Sequence, residues 1–213
     1  MMLRLRGILV QLPGMAKPLF AIEQFDVPIG AKVLIQGPSG KGKSTLLHLM
    51  AGLLDPVMGS VELNDQDLRH LSEAQKSHLR RTQVGLIFQK LNLISHLTAK
   101  ENVGLVLDPK HKGANIELEA LRRVQLVEQA DVYAQYLSVG QQQRVAAARI
   151  LAQQPKLILA DEPTSSLDDE NSEAVMNALF EQATNSTLVV VSHDHRIAQR
   201  FDKVYNFAEL VKR

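Results

Sequence analysis

The chain has 213 residues, and its 24 lysines and arginines against 23 aspartates and glutamates give a formal net charge of +1. That balance argues against a protein that binds nucleic acid through a basic surface, and the length suits one well-buried core. The absence of cysteine excludes disulfides, thiol catalysis and cysteine-ligated metals.

The N-terminal region predicts extended structure. It begins MMLRLRGILVQLPG, whose apolar run is too short and too interrupted for a signal peptide. The run is also far below the roughly 20 apolar residues of a membrane-spanning helix. We interpret it as a first β-strand, and we expect the region up to Pro28, together with residues 59–63, to form strands of an antiparallel edge.

Three later runs of aliphatic and β-branched residues predict strands buried on both faces, as in a parallel sheet covered by helices. These core runs are residues 32–36, 157–160 and 187–191. Apolar residues at helical spacing predict helices over residues 43–51, 141–151 and 172–181. The order predicts a doubly wound α/β fold, in which ligands bind beyond the carboxyl ends of the parallel strands.

The region from about residue 91 to residue 151 has a different character. It contains no convincing strand and several helical stretches, such as residues 117–130. We interpret it as a helical insertion between the first and second of the three predicted core strands.

A phosphate-binding pattern follows the first core strand. Residues 37–45 read GPSGKGKST and match G-x-x-x-x-G-K-[ST]. Glycines let backbone N–H groups converge on phosphate oxygens, and the helix that follows directs its positive end at the same charge. The pattern predicts that Lys43 reaches the β- and γ-phosphates of a nucleotide and that Ser44 ligates Mg²⁺. The predicted nucleotide-binding residues are Gly37, Pro38, Ser39, Gly40, Lys41, Gly42, Lys43, Ser44 and Thr45.

Two carboxylates, Asp161 and Glu162, end the second core strand. In a chain with a phosphate loop, Asp161 is placed to hold Mg²⁺ directly or through water. Side chains alternate along a strand, so we expect Glu162 to point the other way and to polarise an attacking water as a general base.

A third stretch carries a family resemblance. Residues 137–144 read LSVGQQQR and resemble the signature, L-S-G-G-Q, of ATP-binding cassette (ABC) ATPases. In the family's order, Gln89 resembles the Q-loop glutamine, residues 166–168 resemble the D-loop, and His193 resembles the switch histidine. The resemblance implies a P-loop NTPase fold with a mostly parallel core sheet, an antiparallel β edge subdomain and a helical insertion, in one ABC ATPase domain over residues 1–213.

The resemblance also implies how ATP is held. Gln89 is similar to the family residue that touches Mg²⁺ and the attacking water, and His193 is similar to the one that hydrogen-bonds the γ-phosphate. In the family two chains pair head to tail, with each ATP between one chain's phosphate loop and the other's signature. A second ATP-binding subunit is therefore implied, as a homodimer or as a heterodimer with a related chain. The nucleotide-contacting residues expected outside the phosphate loop are Ser138, Gly140, Gln141 and Asp168.

A weaker resemblance concerns the type of transporter. Residues 89–103 are similar to a stretch common in subunits of lipoprotein-release, macrolide-export and cell-division systems. In the family this region contacts a membrane permease. The resemblance implies an ATP-hydrolysing subunit that powers a separate transmembrane permease by ATP-driven dimer closure, on the cytoplasmic face of the membrane and without a nucleic-acid partner.

Two positions depart from the family pattern. Val139 replaces the first signature glycine, and a β-branched residue disfavours positive φ. A slow ATPase that acts as a regulatory or mechanical module on a membrane partner, without moving a solute, is therefore the alternative function. The aromatic residue that stacks on adenine is also missing, and we expect Leu12, Met15 or Phe20 to provide an apolar substitute.

Overall fold

The computed structural model of the protein describes residues 1–107, 115–165 and 167–212. Its strands are β1 (Leu3–Val10), β2 (Phe20–Val27), β3 (Lys32–Gln36), β4 (Met58–Leu63), β5 (Gln66–Asp67), β6 (Val84–Ile87), β7 (Leu157–Asp161), β8 (Thr187–Ser192) and β9 (Lys203–Asn206). Its α-helices are α1 (Lys43–Met50), α2 (Glu73–Gln83), α3 (Ala99–Gly104), α4 (Ile116–Arg123), α5 (Val139–Gln153), α6 (Asp169–Gln182) and α7 (Phe207–Leu210).

An antiparallel sheet is formed by the strands in the order β2-β1-β4-β5. Buried and accessible residues alternate along β1 with the two-residue period of a strand, so that Leu3 and Leu5 face the core. The pairing of β1 with β4 shifts between Arg6 and Leu9, and this irregularity keeps Ile8 on the buried face. The sheet confirms the antiparallel edge expected from the N-terminal region.

A second, parallel sheet has the order β6-β7-β8-β3-β9. The three predicted core strands correspond to β3, β7 and β8. Both β7 and β8 are buried along their whole length, as expected of strands covered on both faces. The sequence analysis did not identify β6 and β9, which form the two edges of this sheet.

The two faces of the parallel sheet belong to different parts of the core. Ile35, Leu159 and Val191 pack with the antiparallel sheet and α1. The residues beside them in sequence, such as Leu34 and Ala160, pack with α3 to α6. This alternation confirms the predicted α/β fold with helices on both sides of the sheet.

In the described part of residues 91–151 the elements are helices joined by loops, with one isolated β-bridge between Thr98 and Tyr133, and residues 108–114 lie outside the described residues. The prediction of one helix over residues 117–130 is wrong in its extent. α4 ends at Arg123, and Gln125 takes a left-handed backbone conformation with φ 57°. This break allows both Val124 and Leu126 to be fully buried.

The parallel sheet and the helical region meet through α5. Its residues Val145, Ala148 and Ile150 are buried in the same cluster as Ile158 and Ala160 of β7. The helix is therefore packed against the strand that carries the predicted carboxylates. Among the described residues, no helix combines the length and the apolar character that crossing a membrane requires.

Candidate nucleotide-binding site

The phosphate loop joins the end of β3 to the start of α1. Gly40 and Gly42 have φ values of 73° and 107°, which residues with a Cβ rarely adopt. A Cβ at Gly42 would also lie 3.1 Å from ring atoms of Phe20, so the loop needs glycine there. The helix that follows leaves its first N–H groups without intrahelical partners, and these groups suit an anion.

The loop lysine, Lys43, is buried and faces the loop itself. Its Nζ donates hydrogen bonds to the carbonyl oxygens of Gly37 at 2.6 Å and Pro38 at 3.1 Å. The same Nζ lies 3.8 Å from Oε1 of Glu162. The Lys43 ammonium group is thus held between the phosphate loop and Glu162, one of the two predicted carboxylates.

A cavity of about 270 Å³ adjoins the phosphate loop. Its lining residues are Leu12, Leu19, Ser39, Gly40, Gly42, Lys43, Ser44, Thr45, Gln89, Asp161 and Glu162. Most of the predicted loop residues therefore meet Gln89 and both carboxylates in one place. Lys41 is exposed and is not among these lining residues.

The first carboxylate, Asp161, is the last residue of β7 and is buried. Burial raises the pKa of its carboxyl group, the negative charge of Glu162 adds to that rise, and a hydrogen bond from Ser44 opposes it. The arrangement sets a hydroxyl and a carboxylate oxygen side by side next to the phosphate loop. These are the hard oxygen ligands that Mg²⁺ prefers.

The second carboxylate, Glu162, is only 7% exposed and accepts several hydrogen bonds. Its Oε2 accepts from Ser192 Oγ at 2.9 Å, and its Oε1 accepts from the backbone N–H of His193 at 3.1 Å. The Nδ1 of the His193 ring also lies 2.9 Å from Oε1. These contacts hold the carboxylate rigidly at the carboxyl edge of the sheet.

The expected opposition of the two carboxylates by strand alternation is wrong. β7 ends at Asp161, and Glu162 lies beyond it with a left-handed φ of 49°. Alternation therefore does not apply between them, and both side chains line the same cavity.

The switch histidine, His193, connects this cavity to a second one. Its side chain is 58% exposed. The second cavity, of about 280 Å³, is lined by Gln36, Gly37, Pro38, His193, His195 and Asn206. Gly37 and Pro38 thus lie on the His193 side of the phosphate loop, apart from the residues that line the first cavity.

The signature residues lie elsewhere on the chain. Ser138 caps α5, because its Oγ accepts from the Gln141 N–H at 3.2 Å and the Gln141 side chain accepts from the Ser138 N–H at 2.9 Å. A Cβ on Gly140 would lie 3.1 Å from Leu167, so the signature and the D-loop are neighbours. None of the three predicted signature residues lines either cavity at the phosphate loop.

The predicted D-loop residue Asp168 caps α6. Its Oδ1 accepts from the Asn171 N–H at 2.8 Å, and this hydrogen bond is the first cause of the lowered pKa of the carboxyl group. Ser166, which precedes it in the motif, lies outside the described residues. Asp168, like the signature, does not line the first cavity.

The two departures from the family pattern have a structural outcome. Val139 is the first residue of α5, has no positive φ, and leaves 59% of its surface exposed. The expectation that Phe20 could substitute for the adenine-stacking residue is wrong, because Phe20 is fully buried and packs edge-on against Phe207. The apolar wall of the cavity is formed by Leu12, one of the expected candidates, and by Leu19. The sequence analysis did not single out Leu19.

Two residues that contact Glu162, and a third that lies just beyond His193, were missed by the sequence analysis. Ser192 donates to Glu162, and Gln143 of α5 donates to the Glu162 carbonyl oxygen at 3.2 Å. Arg196 pairs with Asp194 at 2.9 Å, just after the switch histidine. Only Ser192 carried a sequence signal, since it lies directly between a core strand and His193.

Comparison with known proteins assigns the family. The family model described as ABC transporter matches residues 22–165. The chain belongs to the ABC transporter family. It is an ATP-binding subunit of this family, with the ATPase activity that the signature and the phosphate loop predicted.

Individual relatives agree with this assignment. The chain is 40% identical over 185 residues to the lipoprotein-releasing system ATP-binding protein LolD of Legionella pneumophila (strain Paris), which spans 82% of this chain and 80% of that protein. It is 36% identical over 188 residues to an uncharacterized ABC transporter ATP-binding protein of Mycobacterium tuberculosis (strain CDC 1551 / Oshkosh), which spans 85% of this chain and 76% of that protein.

A solved structure supports the fold over the whole chain. The dimeric ATP-binding cassette MJ0796, in a post-hydrolysis state with ADP and Pi, superposes with a TM-score of 0.90 and 33% identity. The match covers 100% of this chain and 97% of that one. The predicted P-loop NTPase fold is therefore confirmed.

Proposed function

We propose that this chain is the motor subunit of a transporter, in which the cavity beside the phosphate loop binds ATP and Glu162 activates the attacking water. The observation that carries the proposal is the juxtaposition of Lys43, Ser44, Asp161 and Glu162 around one cavity. In this reaction the water oxygen bonds to the γ-phosphorus while the bond to the β–γ bridging oxygen breaks, which leaves ADP and phosphate. The water proton passes to the Glu162 carboxylate.

The residues around the cavity divide the work. Lys43 neutralises phosphate charge, and the loop N–H groups hold the phosphate oxygens. Ser192 and the His193 backbone orient Glu162 toward the water, since both donate to its carboxylate. The His193 ring hydrogen-bonds the γ-phosphate and stabilises the charge that develops there.

The donor set of the cavity fits Mg²⁺. The described residues contain no cluster of three or more His, Asp or Glu side chains suited to a metal ion. Mg²⁺ commonly uses only one or two carboxylates and takes the rest of its oxygens from phosphates and water. We assign Ser44, Asp161 and Gln89 as the residues that would hold it, where it would neutralise charge on the β- and γ-phosphates.

We further propose that the ATP site is completed by a second copy of this chain. Ser138, Gly140, Gln141 and Asp168 lie outside the cavity that holds the phosphate loop of the same chain. A head-to-tail homodimer would bring the signature of one protomer to the phosphate loop of its partner. The dimeric state of the MJ0796 cassette, which this chain resembles at a TM-score of 0.90, supports this arrangement.

We infer the membrane partner from the curated relatives. The similarity to a lipoprotein-releasing system ATP-binding protein supports a permease as the partner of this chain. In this proposal the chain lies on the cytoplasmic face of the membrane, held by that permease. The whole of residues 1–213 acts as one cassette, with residues of about 91–151 as its helical subdomain.

The alternative, a slow ATPase with a purely regulatory role, depended on Val139. Part of the argument for this alternative is removed, because Val139 has no positive φ and its side chain is exposed to solvent at the start of α5. The motor function is therefore the one that the site supports.

Replacing the proposed base tests the reaction. Glu162→Gln keeps the size of the side chain and one of its two acceptor oxygens but cannot take a proton, so we expect ATP hydrolysis to fall by at least about 100-fold. The variant is expected to accumulate as an ATP-bound dimer in size-exclusion chromatography. Glu128→Gln, on the exposed surface of the helical region, is the matched control. Hydrolysis by Glu162→Gln at the parental rate would overturn the assignment.

Mixing two inactive variants tests the shared site. Lys43→Ala removes the phosphate contact of one protomer, and Ser138→Arg blocks the signature of the other. Each homodimer is expected to be inactive, whereas the mixed dimer retains one intact site and regains part of the activity. If a phosphate loop worked without the signature of the partner protomer, the Ser138→Arg homodimer would hydrolyse ATP at the parental rate, and the proposed shared site would be wrong. Co-expression with a candidate permease, followed by ATPase and substrate-flux assays, tests the membrane partner.

A further inference from the structure

We propose that Gln143 is a positioning residue that holds the backbone of Glu162 in its left-handed conformation and so links the signature helix to the general base. The inference rests on the proposed role of Glu162. It concerns a residue of α5 that lines neither cavity at the phosphate loop.

The backbone of Glu162 is held from two sides. Its N–H donates to the Val191 carbonyl of β8 at 3.0 Å. Its carbonyl accepts from Gln143 Nε2 at 3.2 Å and from the Ser165 N–H at 3.3 Å. The Gln143 bond is the one that reaches this backbone from α5.

The conformation that these bonds maintain is a costly one. Glu162 is not glycine and has φ 49°, and residues in this region persist only where the surroundings fix them. The direction of its side chain depends on that backbone. A relaxed φ would turn the carboxylate away from Ser192 and His193, which now hold it at 2.9 Å and 3.1 Å.

Within the described residues, the buried side chain of Gln143 makes one hydrogen bond, to the Glu162 carbonyl oxygen. The residue is only 4% exposed, and within the described parts of the chain its Oε1 has no hydrogen-bond partner. Burying an amide costs free energy that an apolar side chain of the same size would not. Its bond to Glu162 is the interaction that offsets this cost.

The neighbouring glutamine shows the contrast. Gln142 donates from its Nε2 to the carbonyl oxygens of Ala134 and Leu137, both at 3.0 Å, and so anchors the helical region. The two adjacent residues of α5 therefore point to different parts of the molecule. Since Gln143 lies about one and a half turns beyond Ser138 on the same helix, movement at the signature is carried to the Glu162 carbonyl.

Substitution of the two glutamines tests the inference in the full-length chain. Gln143→Met keeps the size but removes the donor, so we expect kcat to fall about tenfold, as for the loss of one buried hydrogen bond, while KM for ATP stays within about twofold. Gln142→Met, which loses two bonds on the same helix, is expected to leave kcat within about twofold. Gln143→Glu sets an acceptor against the Glu162 carbonyl and is expected to lose as much kcat as Gln143→Met, or more.

The Glu162→Gln background separates a positioning role from a general one. If Gln143 acts through the carboxylate, adding Gln143→Met to Glu162→Gln lowers the residual single-turnover rate by less than about twofold. An equal tenfold loss in both backgrounds, or an unchanged kcat in Gln143→Met and Gln143→Glu, would overturn the inference. Parental hydrolysis by Glu162→Gln would instead overturn the proposed base, whatever Gln143 does.

Discussion

The imidazole Nδ1 of His193 lies 2.9 Å from Oε1 of Glu162, so the switch histidine and the proposed base form one hydrogen-bonded unit. The contact uses one ring nitrogen and leaves Nε2 on the side of the ring away from the carboxylate. Because the histidine side chain is exposed and the carboxylate is buried, the pair joins the interior of the site to its open edge. In the proposed reaction, this unit would couple water activation to phosphate contact.

Removal of the imidazole therefore damages the reaction more than the fold. We expect His193→Ala to lower kcat by about 100- to 1,000-fold, the range seen when a donor to transition-state charge is lost. Thermal stability is expected to change little, because Ser192 and the His193 N–H still bond Glu162. His195→Ala, an exposed neighbour in the second cavity, is the control and is expected to retain activity. A similar loss in both variants would contradict the specific role of His193.

Asp161 predicts a conflict between stability and function. Burial raises the pKa of its carboxyl group, so the folded chain binds this proton more tightly than the unfolded chain, and ionisation at neutral pH costs folding free energy. We expect Asp161→Asn to raise the free energy of unfolding by about 1 kcal/mol without nucleotide. The variant is expected to lose the stabilisation that ATP with Mg²⁺ gives the parent.

Urea unfolding with and without ATP and Mg²⁺ measures both effects. Asp131→Asn, an exposed position, is expected to leave both unchanged. A less stable Asp161→Asn protein in the absence of nucleotide would show that the buried carboxylate does not carry the expected cost.

Arg196 and Asp194 predict a dependence of stability on acid. The hydrogen bonds from Arg196 hold the pKa of the Asp194 carboxyl below its usual value. Because the folded pKa is depressed, this stabilisation is present above the unfolded pKa of about 3.9 and is lost as the pH falls through the folded pKa. Arg196→Ala is expected to lower the stability only slightly at pH 7, as the loss of an exposed pair does, and by progressively less as the pH falls below about 3.9. Arg200→Ala, which loses its stacking on Phe180 and its bond to Asn177, is expected to lower the stability equally at pH 7 and in acid.

How much of the structure can be predicted from the sequence depends on how far apart in the chain the interacting residues lie. The phosphate loop is formed by residues within a few positions of one another, and it was predicted from a local pattern. The contacts of Gln143 with Glu162 and of Arg196 with Asp169 join distant parts of the chain. No local spacing encodes them.

The errors have the same origin. Phe20 looked available for stacking on a base, but its place in β2 and its packing on Phe207 bury it. Glu162 looked like a strand residue, but β7 ends one position earlier. The site roles of the motif residues stay predictions, and the experiments above address them.

The valine in the signature is predicted to be tolerated. Since Val139 has ordinary backbone geometry at the start of α5, Val139→Gly brings no relief of strain. We expect its ATPase rate to stay within about twofold of the parent, and helix propensity to cost a few tenths of a kcal/mol. A tenfold higher ATPase rate for Val139→Gly than for the parent, in a steady-state assay, would instead support the alternative function, a slow ATPase with a regulatory role.

The missing adenine platform predicts that nucleotide affinity can be improved. Leu12 lines the cavity beside the phosphate loop, whereas Met15 does not. A tyrosine at position 12 could stack on the base, and one such stack contributes about 1–3 kcal/mol. We expect Leu12→Tyr to tighten ATP binding by roughly tenfold and to leave the binding of inorganic triphosphate, which has no base, unchanged. Met15→Tyr is the matched control and is expected to alter neither affinity in calorimetric titrations. An equal gain for both ligands would mean that the new ring contacts phosphate or protein instead of the base, and the assignment of Leu12 to the adenine wall would be wrong.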